Sequence, residues 1–141
     1  MREKTCARPW EQSEGAVFTG DQSEYAYTAA LDAMADRVRV VQIGRTVEGR
    51  PINMLIIGYP SPPATADAVA NAPSVLINCG THGSEPSGRE ACLIMARELA
   101  FANDPRTLDI LSNLIVLIVP AINGDGGAAD TRTNAAVRGG C

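Results

Sequence analysis

The sequence lacks several features on which a functional assignment often rests. It has one histidine, His82, among 141 residues, so it offers no second histidine to a catalytic zinc ion, which normally takes three protein ligands. No Cys-x-x-Cys pair occurs, which argues against a cysteine zinc site or a thioredoxin-like motif. No apolar run reaches transmembrane length, and residues 1–20 contain none of signal-peptide length. We therefore expect no membrane partner and, on sequence alone, a cytoplasmic protein, or a secreted one if the N-terminus is incomplete.

The composition is that of a soluble globular domain. Hydrophobic residues make up 45% and charged residues 20%, which argues against disorder. The length is that of one domain. The 12 basic and 16 acidic residues give a net charge of −4. Because no basic stripe is present, we expect no nucleic-acid partner; the oligomeric state is left open.

Hydrophobic spacing and turn residues divide the chain into helices and strands. The expected elements, in chain order, are an irregular lead-in (1–20), a helix (24–37), a β-hairpin (38–57), a surface connection (60–73), an interior strand (74–79), a helix from Pro86 to Asp104-Pro105, a central parallel strand (114–119) and a flexible turn (123–127). This order predicts an α/β protein with three layers and a mixed, mostly parallel β-sheet. Because the chain stops soon after a central strand, we expect the sheet to be truncated.

The helix ends and the cysteines carry further predictions. Asp21 or Ser23 is expected to cap the first helix, and Ser87 with Glu90 matches a capping box at the start of the second. Cys79 and Cys92 are predicted to be small core hydrophobes, because one ends the strand 74–79 and the other lies in the second helix. The pattern leaves the pairing of Cys6 and Cys141 open.

The candidate metal ligands are His82 and Glu85. They are three residues apart, directly after the strand 74–79 and before a helix. Both side chains can turn toward one point beyond the carboxyl end of that strand, which is where open α/β sheets bind ligands. The loop also resembles a phosphate cradle, but it lacks the Gly-Lys-Ser/Thr ending of a P-loop. Ser84 and Ser87 have no base beside them in sequence, which disfavours a serine hydrolase.

Residues 42–52, 82–85, 119–126 and 132–135 contain four motifs whose order and spacing are specific when taken together. They resemble, in turn, the hairpin signature, the first zinc motif His-x-x-Glu, the Asn-Pro-Asp-Gly segment and the arginine stretch of zinc metallocarboxypeptidases of the carboxypeptidase A type. Two positions depart from the family pattern. Gly124 replaces the proline of the third motif, and Ser84 occupies the place of an arginine in the second.

The resemblance implies a function and a boundary. Residues 21–141 would be the N-terminal portion of a carboxypeptidase-like catalytic domain. His82 and Glu85 would bind Zn²⁺, and Arg132 would polarise the scissile carbonyl of a peptide or protein C-terminus. In the family, a second zinc histidine, a carboxylate-binding Asn-Arg pair, a tyrosine and a catalytic glutamate come later than the position of Cys141. The chain alone is therefore expected to be inactive.

Two alternatives stay open. Amidohydrolases that act on acylated amino acids or cell-wall peptides also use His-x-x-Glu, although the hairpin signature favours carboxypeptidases. The chain could also be a non-catalytic α/β module that binds peptide without cutting it. Arg132 itself has a simpler interpretation, since an arginine in a glycine-rich segment is usually a solvated surface residue.

Overall fold

The structure, a computed structural model, describes residues 7–134. Its elements in chain order are α1 (Pro9–Gln12), α2 (Asp21–Met34), β1 (Val38–Arg45), β2 (Pro51–Ile57), α3 (Ala66–Ala70), β3 (Ser74–Asn78), α4 (Ser87–Phe101), α5 (Pro105–Asn113), β4 (Ile115–Val119) and α6 (Gly124–Ala128). None of the helices in the described range is long and apolar enough to cross a membrane.

The four strands form one mixed sheet in the order β1-β2-β4-β3. β1 and β2 make the predicted hairpin, with Val38 opposite Ile57, and its turn contains Gly49 at a φ of 84°, a conformation that glycine adopts without steric cost. β2 also pairs antiparallel with β4, and β3 pairs parallel with β4. The predicted mixed α/β sheet is thus confirmed, although only one of these three pairings is parallel.

Helices cover both faces of the sheet. On one face, Leu31 of α2 and Leu93 of α4 are fully buried against Leu55 of β2. On the other face, Ile56 of β2 packs with Val69 of α3. Successive residues of β2 enter opposite cores, as the two-residue period of a strand requires. This arrangement gives the predicted three layers.

β3 was predicted to be an interior strand, and that prediction is wrong within the described residues. β3 lies at the edge of the sheet and pairs only with β4 there. Val75 and Leu76 are 43% and 61% exposed. An apolar run identifies a strand but does not count its neighbours, so periodicity alone could not distinguish this edge from a centre.

The N-terminal segment also differs from its prediction. The described part of the predicted lead-in contains α1, and Arg8 beside it is 1% exposed. Trp10 and Phe18 stack with ring centroids 4.6 Å apart. α2 begins at Asp21 after a Gly20 N-cap and has no side-chain cap, so the predicted cap by Asp21 or Ser23 is wrong. α2 also ends at Met34, earlier than predicted.

Three further helices were not predicted: α3 and α6 occupy segments that were predicted otherwise, and α5 occupies a segment to which no element was assigned. α3 lies in the predicted surface connection and begins where the Thr65 hydroxyl accepts from the Ala68 amide. α4 ends at Phe101, and Asp104, predicted to end that helix, instead caps α5 by accepting from the Thr107 amide at 3.0 Å. α6 replaces the flexible turn predicted over residues 123–127. Each of the three helices begins at a threonine or Asx cap. With five residues each, α3 and α6 are too short for apolar periodicity to reveal.

Cys79 and Cys92 form a disulfide, with their Cα atoms 6.5 Å apart. The prediction of two separate core hydrophobes is therefore wrong, although Cys92 is fully buried. The disulfide joins the end of β3 to the second turn of α4. Cys6 and Cys141 lie outside the described residues.

Candidate active site

The loop between β3 and α4 brings His82 and Glu85 together. The Nδ1 atom of His82 lies 3.1 Å from Oε2 of Glu85, and the two side chains are 38% and 56% exposed. The chain leaves β3 at Asn78, so both groups lie beyond the carboxyl end of a strand, at the predicted position. Neither side chain is sealed inside the core, and both are accessible to a ligand from solution.

The geometry of this pair suits a tetrahedral metal. Zinc–nitrogen and zinc–oxygen bonds of about 2.1 Å place two donor atoms roughly 3.4 Å apart, close to the observed 3.1 Å. An imidazole nitrogen and a carboxylate oxygen are donors that zinc accepts. No cluster of three or more His, Cys, Asp or Glu residues suited to a metal occurs within residues 7–134. The described residues thus fit two positions of a zinc site.

Arg132 belongs to the same cluster. Its Nη1 donates to Oε1 of Glu85, so the carboxylate joins the histidine on one side and the guanidinium on the other. The Arg132 side chain is 62% exposed. The structure therefore brings all three predicted site residues together, and their roles in catalysis and metal binding stay predictions. Arg138, for which no role was proposed, lies outside the described residues.

The charges around Glu85 favour its ionised form. The hydrogen bond with His82 lowers the pKa of the Glu85 carboxyl, slight burial opposes that change, and the charges of His82 and Arg132 lower the pKa further. Glu85 is therefore a carboxylate at neutral pH. A metal ligand must be in this form.

Asn123 joins the loop that contains His82 to the segment that contains Arg132. Its Nδ2 donates to the Thr81 carbonyl at 3.1 Å and to the Arg132 carbonyl at 3.4 Å. Its Oδ1 accepts from the Gly126 amide and caps α6. The sequence predicted a turn residue here, and the structure adds a contact to the loop that carries His82.

Gly83 allows the loop to lie directly on α6. A Cβ atom at this position would be 1.9 Å from the carbonyl carbon of Gly126 and 2.3 Å from the amide nitrogen of Gly127. Such distances are shorter than any non-bonded contact, so a side chain at residue 83 would push the backbone away. The glycine between His82 and Glu85 is thus required by packing.

A network of charged residues, centred on the buried Asp125, was not predicted. Asp125, 3% exposed, accepts from Thr46 Oγ1 at 2.7 Å, from the Glu48 amide at 3.1 Å and from Arg50 Nη1 at 2.6 Å. Burial by itself raises the pKa of Asp125, but these hydrogen bonds and the Arg50 charge together hold it below its ordinary value. Arg50 Nε lies 3.3 Å from Asp21. The hairpin turn is thereby joined to α6 and α2.

The same network of charged residues extends to α4 through Arg89. Its Nη2 lies 2.8 Å from Asp21 and its Nε lies 3.1 Å from Glu24. The sequence interpretation treated Arg50 and Asp125 as turn residues because each stands beside glycine. Both lie in segments that carry the family resemblance, but no local pattern indicated that residues 75 positions apart would pair.

Glu90 does not form the predicted capping box. Pro86 precedes α4 without a side-chain cap, and the Glu90 carboxylate instead binds the N-terminal segment. Its Oε2 accepts from Arg8 Nη1 at 2.6 Å and its Oε1 accepts from the Thr19 amide at 2.6 Å. A capping box requires the N3 carboxylate to accept from the N-cap amide, whereas both oxygens of Glu90 accept from residues of the N-terminal segment.

A cleft of about 280 Å³ opens beside the cluster. Its walls include His82 and Glu85 from the loop, Arg89 from α4, Gly127 from α6, and the segment 18–20. The cleft is large enough for an amino-acid side chain. The N-terminal segment and the two candidate metal ligands therefore line the same cleft.

Comparisons with known proteins identify relatives of this arrangement. A model described as zinc carboxypeptidase matches residues 24–140. Carboxypeptidase D of Mus musculus is 34% identical over 119 residues, which cover 76% of this chain and 8% of that protein. Carboxypeptidase E of Caenorhabditis elegans is 34% identical over 88 residues, which cover 60% of this chain and 18% of that protein.

A solved structure extends the likeness to three dimensions. The crystal structure of a metallo-carboxypeptidase from Burkholderia cenocepacia superposes with a TM-score of 0.67 at 31% identity. The match covers 82% of this chain and 30% of that one. The chain thus spans less than a third of each of these relatives.

Proposed function

The chain belongs to the zinc carboxypeptidase family, and we propose that its His82 and Glu85 bind a zinc ion in the service of hydrolysing the C-terminal peptide bond of peptides and proteins. One observation carries the proposal: the two side chains lie 3.1 Å apart and open to solvent at the end of β3, inside the matched region. A site of this kind occurs where open α/β sheets bind ligands.

The roles of the two ligands follow from their protonation. Zinc takes histidine through a deprotonated ring nitrogen and glutamate as the carboxylate, and the lowered pKa of Glu85 favours the latter form. Zinc held there would lower the pKa of a bound water to about 7 and polarise the scissile carbonyl. Gly83 and Asn123 keep the loop on α6 and so hold both ligands in place.

Arg132 supplies the positive charge for the developing oxyanion. A guanidinium aimed at the carbonyl oxygen stabilises the negative charge that forms as water attacks. In the structure this guanidinium contacts Glu85. A metal held by Glu85 would share the charge of that carboxylate and would weaken its attraction for the Arg132 guanidinium.

The chain alone is expected to bind zinc weakly and to hydrolyse nothing. Residues 7–134 supply two donors, His82 and Glu85, where catalytic zinc sites use three protein ligands. The described residues also offer no carboxylate beside the pair other than Glu85 itself that could act as the base for water. Full activity is proposed for a protein that adds these groups.

Equilibrium dialysis with zinc tests the ligand assignment. The wild-type chain should bind zinc, and His82→Ala and Glu85→Gln should each weaken binding by about tenfold or more, since each removes half of the donor set. Glu98→Gln, an exposed change on α4, is the matched control and should bind as wild type does. Equal binding by wild type and His82→Ala would remove the assignment.

A hippuryl-type substrate assay on the same chain tests its incompleteness. We expect no turnover with or without zinc. Steady turnover, or tight stoichiometric zinc binding, would show that the chain holds a complete site and that the two-donor account is wrong.

A non-catalytic peptide-binding module is the second candidate. It is favoured by the two-donor site within residues 7–134. His82→Ala separates the candidates, because peptide binding by such a module should survive the substitution, whereas a metal-dependent site should lose its zinc.

A further inference from the structure

The segment that precedes the family match forms part of the candidate active-site cleft. The family model matches residues 24–140, yet residues 18–20 line the same cleft as His82 and Glu85. This chain therefore has a cleft wall that the family match does not include. Phe18, 45% exposed, is the large apolar side chain in that wall.

Buried hydrogen bonds fix this wall relative to the candidate metal ligands. The Thr19 amide donates to Glu90 Oε1 at 2.6 Å, and the Thr19 carbonyl accepts from Arg89 Nη1 at 2.9 Å. Glu90 also holds Arg8, which is 1% exposed. α4 begins two residues after Glu85. Its first turn therefore follows the loop of His82 and Glu85 directly and also contains Arg89 and Glu90, which hold Thr19 beside Phe18.

The Phe18 ring is also supported from behind. It stacks on Trp10 with a centroid distance of 4.6 Å and an interplanar angle of 19°. Trp10 in turn follows Pro9 at the start of α1. A ring held by stacking and by an anchored backbone presents a fixed apolar surface. Because the ring is already ordered, the protein loses little side-chain entropy when a ligand binds there.

We propose that Phe18, backed by Trp10, is an apolar subsite that binds a large aliphatic or aromatic side chain of a peptide in the cleft. The inference rests on the proposed function, because the peptide is placed by the site at His82 and Glu85. Two charged groups that line the cleft are paired, Arg89 with Asp21 and Glu85 with Arg132. Phe18 is the aromatic residue that lines the cleft, and its ring offers an apolar surface to a side chain.

The single tryptophan of the chain makes the subsite measurable. The indole N–H signal of Trp10 in an NMR spectrum can be followed as N-acetylphenylalanine amide or N-acetylglycine amide is added. The phenylalanine ligand should shift the signal and bind more tightly than the glycine ligand. Phe18→Ala should weaken binding of the phenylalanine ligand by about two- to tenfold, the effect expected for loss of one aromatic pair.

Two further variants keep the test specific. Phe18→Leu retains an apolar side chain and should keep part of the affinity, which separates loss of the subsite from loss of folding. Val17→Ala removes the neighbouring side chain, 55% exposed, which is not among the residues that line the cleft, and should leave binding unchanged. Equal affinity for the two ligands, no shift of the Trp10 signal, or equal effects of Phe18→Ala and Val17→Ala would each overturn the proposal.

Zinc binding measured on the same samples separates this inference from the proposed function. Phe18→Ala should leave zinc binding unchanged. His82→Ala should weaken zinc binding by about tenfold or more, while the phenylalanine ligand still shifts the Trp10 signal. If wild type binds the phenylalanine ligand through Phe18 but takes up no zinc, the zinc proposal fails and the apolar subsite stands. If it binds zinc through His82 but does not distinguish the two ligands, the subsite fails alone.

Discussion

Arg50 and Asp125 lie 75 positions apart in sequence, yet the guanidinium Nη1 of one is 2.6 Å from the carboxylate Oδ1 of the other. Asp125 is 3% exposed and stands in the first turn of α6. Arg50 stands at the end of the hairpin turn and also contacts Asp21 and Glu48. This ion pair joins the hairpin to the segment that carries Asn123 and leads to Arg132.

Removing the charge of Asp125 should destabilise the protein. In Asp125→Asn the contact with Arg50 loses one of its two charges, and one oxygen that accepts from Thr46 or from the Glu48 amide is replaced by an NH₂ donor. We expect a loss of about 2 kcal/mol in the free energy of unfolding, measured by urea denaturation. The matched control is Glu48→Gln, whose 47% exposed carboxylate pairs with the same arginine. It should cost less than about 0.5 kcal/mol, and equal effects would contradict the central role of Asp125.

Glu24 should make stability depend on pH. Burial raises the pKa of this carboxyl to about 7 from an ordinary value of 4.5, the Arg89 charge opposes the rise and Asp21 adds to it. Arg89 Nε is 3.1 Å from Glu24 Oε2, but that oxygen has no hydrogen-bond partner within the described chain. The contact is thus a charge contact without hydrogen-bond geometry, which leaves burial dominant.

The direction of the pH effect follows from proton binding. Below pH 4.5 Glu24 is protonated in both states and has no effect. Between pH 4.5 and 7 the unfolded chain releases the proton and the folded one keeps it, so the free energy of unfolding falls as pH rises, and the loss is complete above pH 7. The free energy of unfolding of Glu24→Gln, taken relative to that of wild type, should therefore be higher at pH 8 than at pH 5 by roughly 1–3 kcal/mol. Urea denaturation at both pH values measures it, and no difference between them would refute the raised pKa.

Gly83→Ala should disrupt the site loop. The added Cβ would lie 1.9 Å from the Gly126 backbone, so either the loop or α6 must move. We expect a loss of about 1–3 kcal/mol in the free energy of unfolding, together with weaker zinc binding in dialysis.

Gly88→Ala provides the control for that substitution. Its Cβ would meet its nearest neighbour, the Gly80 amide nitrogen, at 3.6 Å, an ordinary contact. Gly88 lies in the first turn of α4, where alanine should be neutral or stabilise by up to about 1 kcal/mol. Loss of zinc binding by both variants would mean that any added methyl group in this region disturbs the site, and it would contradict a specific role for the contact between Gly83 and α6.

Reduction of the disulfide should lower stability. Cys79 and Cys92 are 13 positions apart, and cross-linking a loop of this length is worth about 3 kcal/mol in the chain-entropy account. With Cys6 and Cys141 changed to serine in all samples, a reductant should shift the urea midpoint of the protein downward. A Cys79→Ala, Cys92→Ala double variant should be insensitive to reductant. If both proteins behave alike, the disulfide is not formed in solution.

Local pattern was sufficient for part of the fold. The hairpin of β1 and β2 was predictable because alternation and a glycine turn are properties of neighbouring residues. The placement of His82 and Glu85 after β3 was predictable for the same reason, since the loop between a strand and the helix that follows it lies at the carboxyl end of that strand. The motif order along the chain then indicated the family.

Other features depended on distant contacts and were missed. β3 was taken as interior because its apolar run does not show how many strands flank it, and among the strands of residues 7–134 it lies at the edge of the sheet. The segment 8–19 was taken as irregular because its order comes from Glu90 and Arg89, which are 71 and 70 positions after Thr19. Glu90 was assigned to a cap because an i, i+3 pattern is visible in sequence and a partner at Arg8 is not.

By itself, the sequence determined the α/β class, the hairpin, the family and the histidine–glutamate pair, because each depends on residue types at short spacings. Only the tertiary structure decided that Arg132 meets Glu85, that Arg50 meets Asp125, and that Phe18 enters the cleft. These contacts join segments whose separation along the chain carries no periodic signal, and they form only when packing of the sheet and helices brings the segments together.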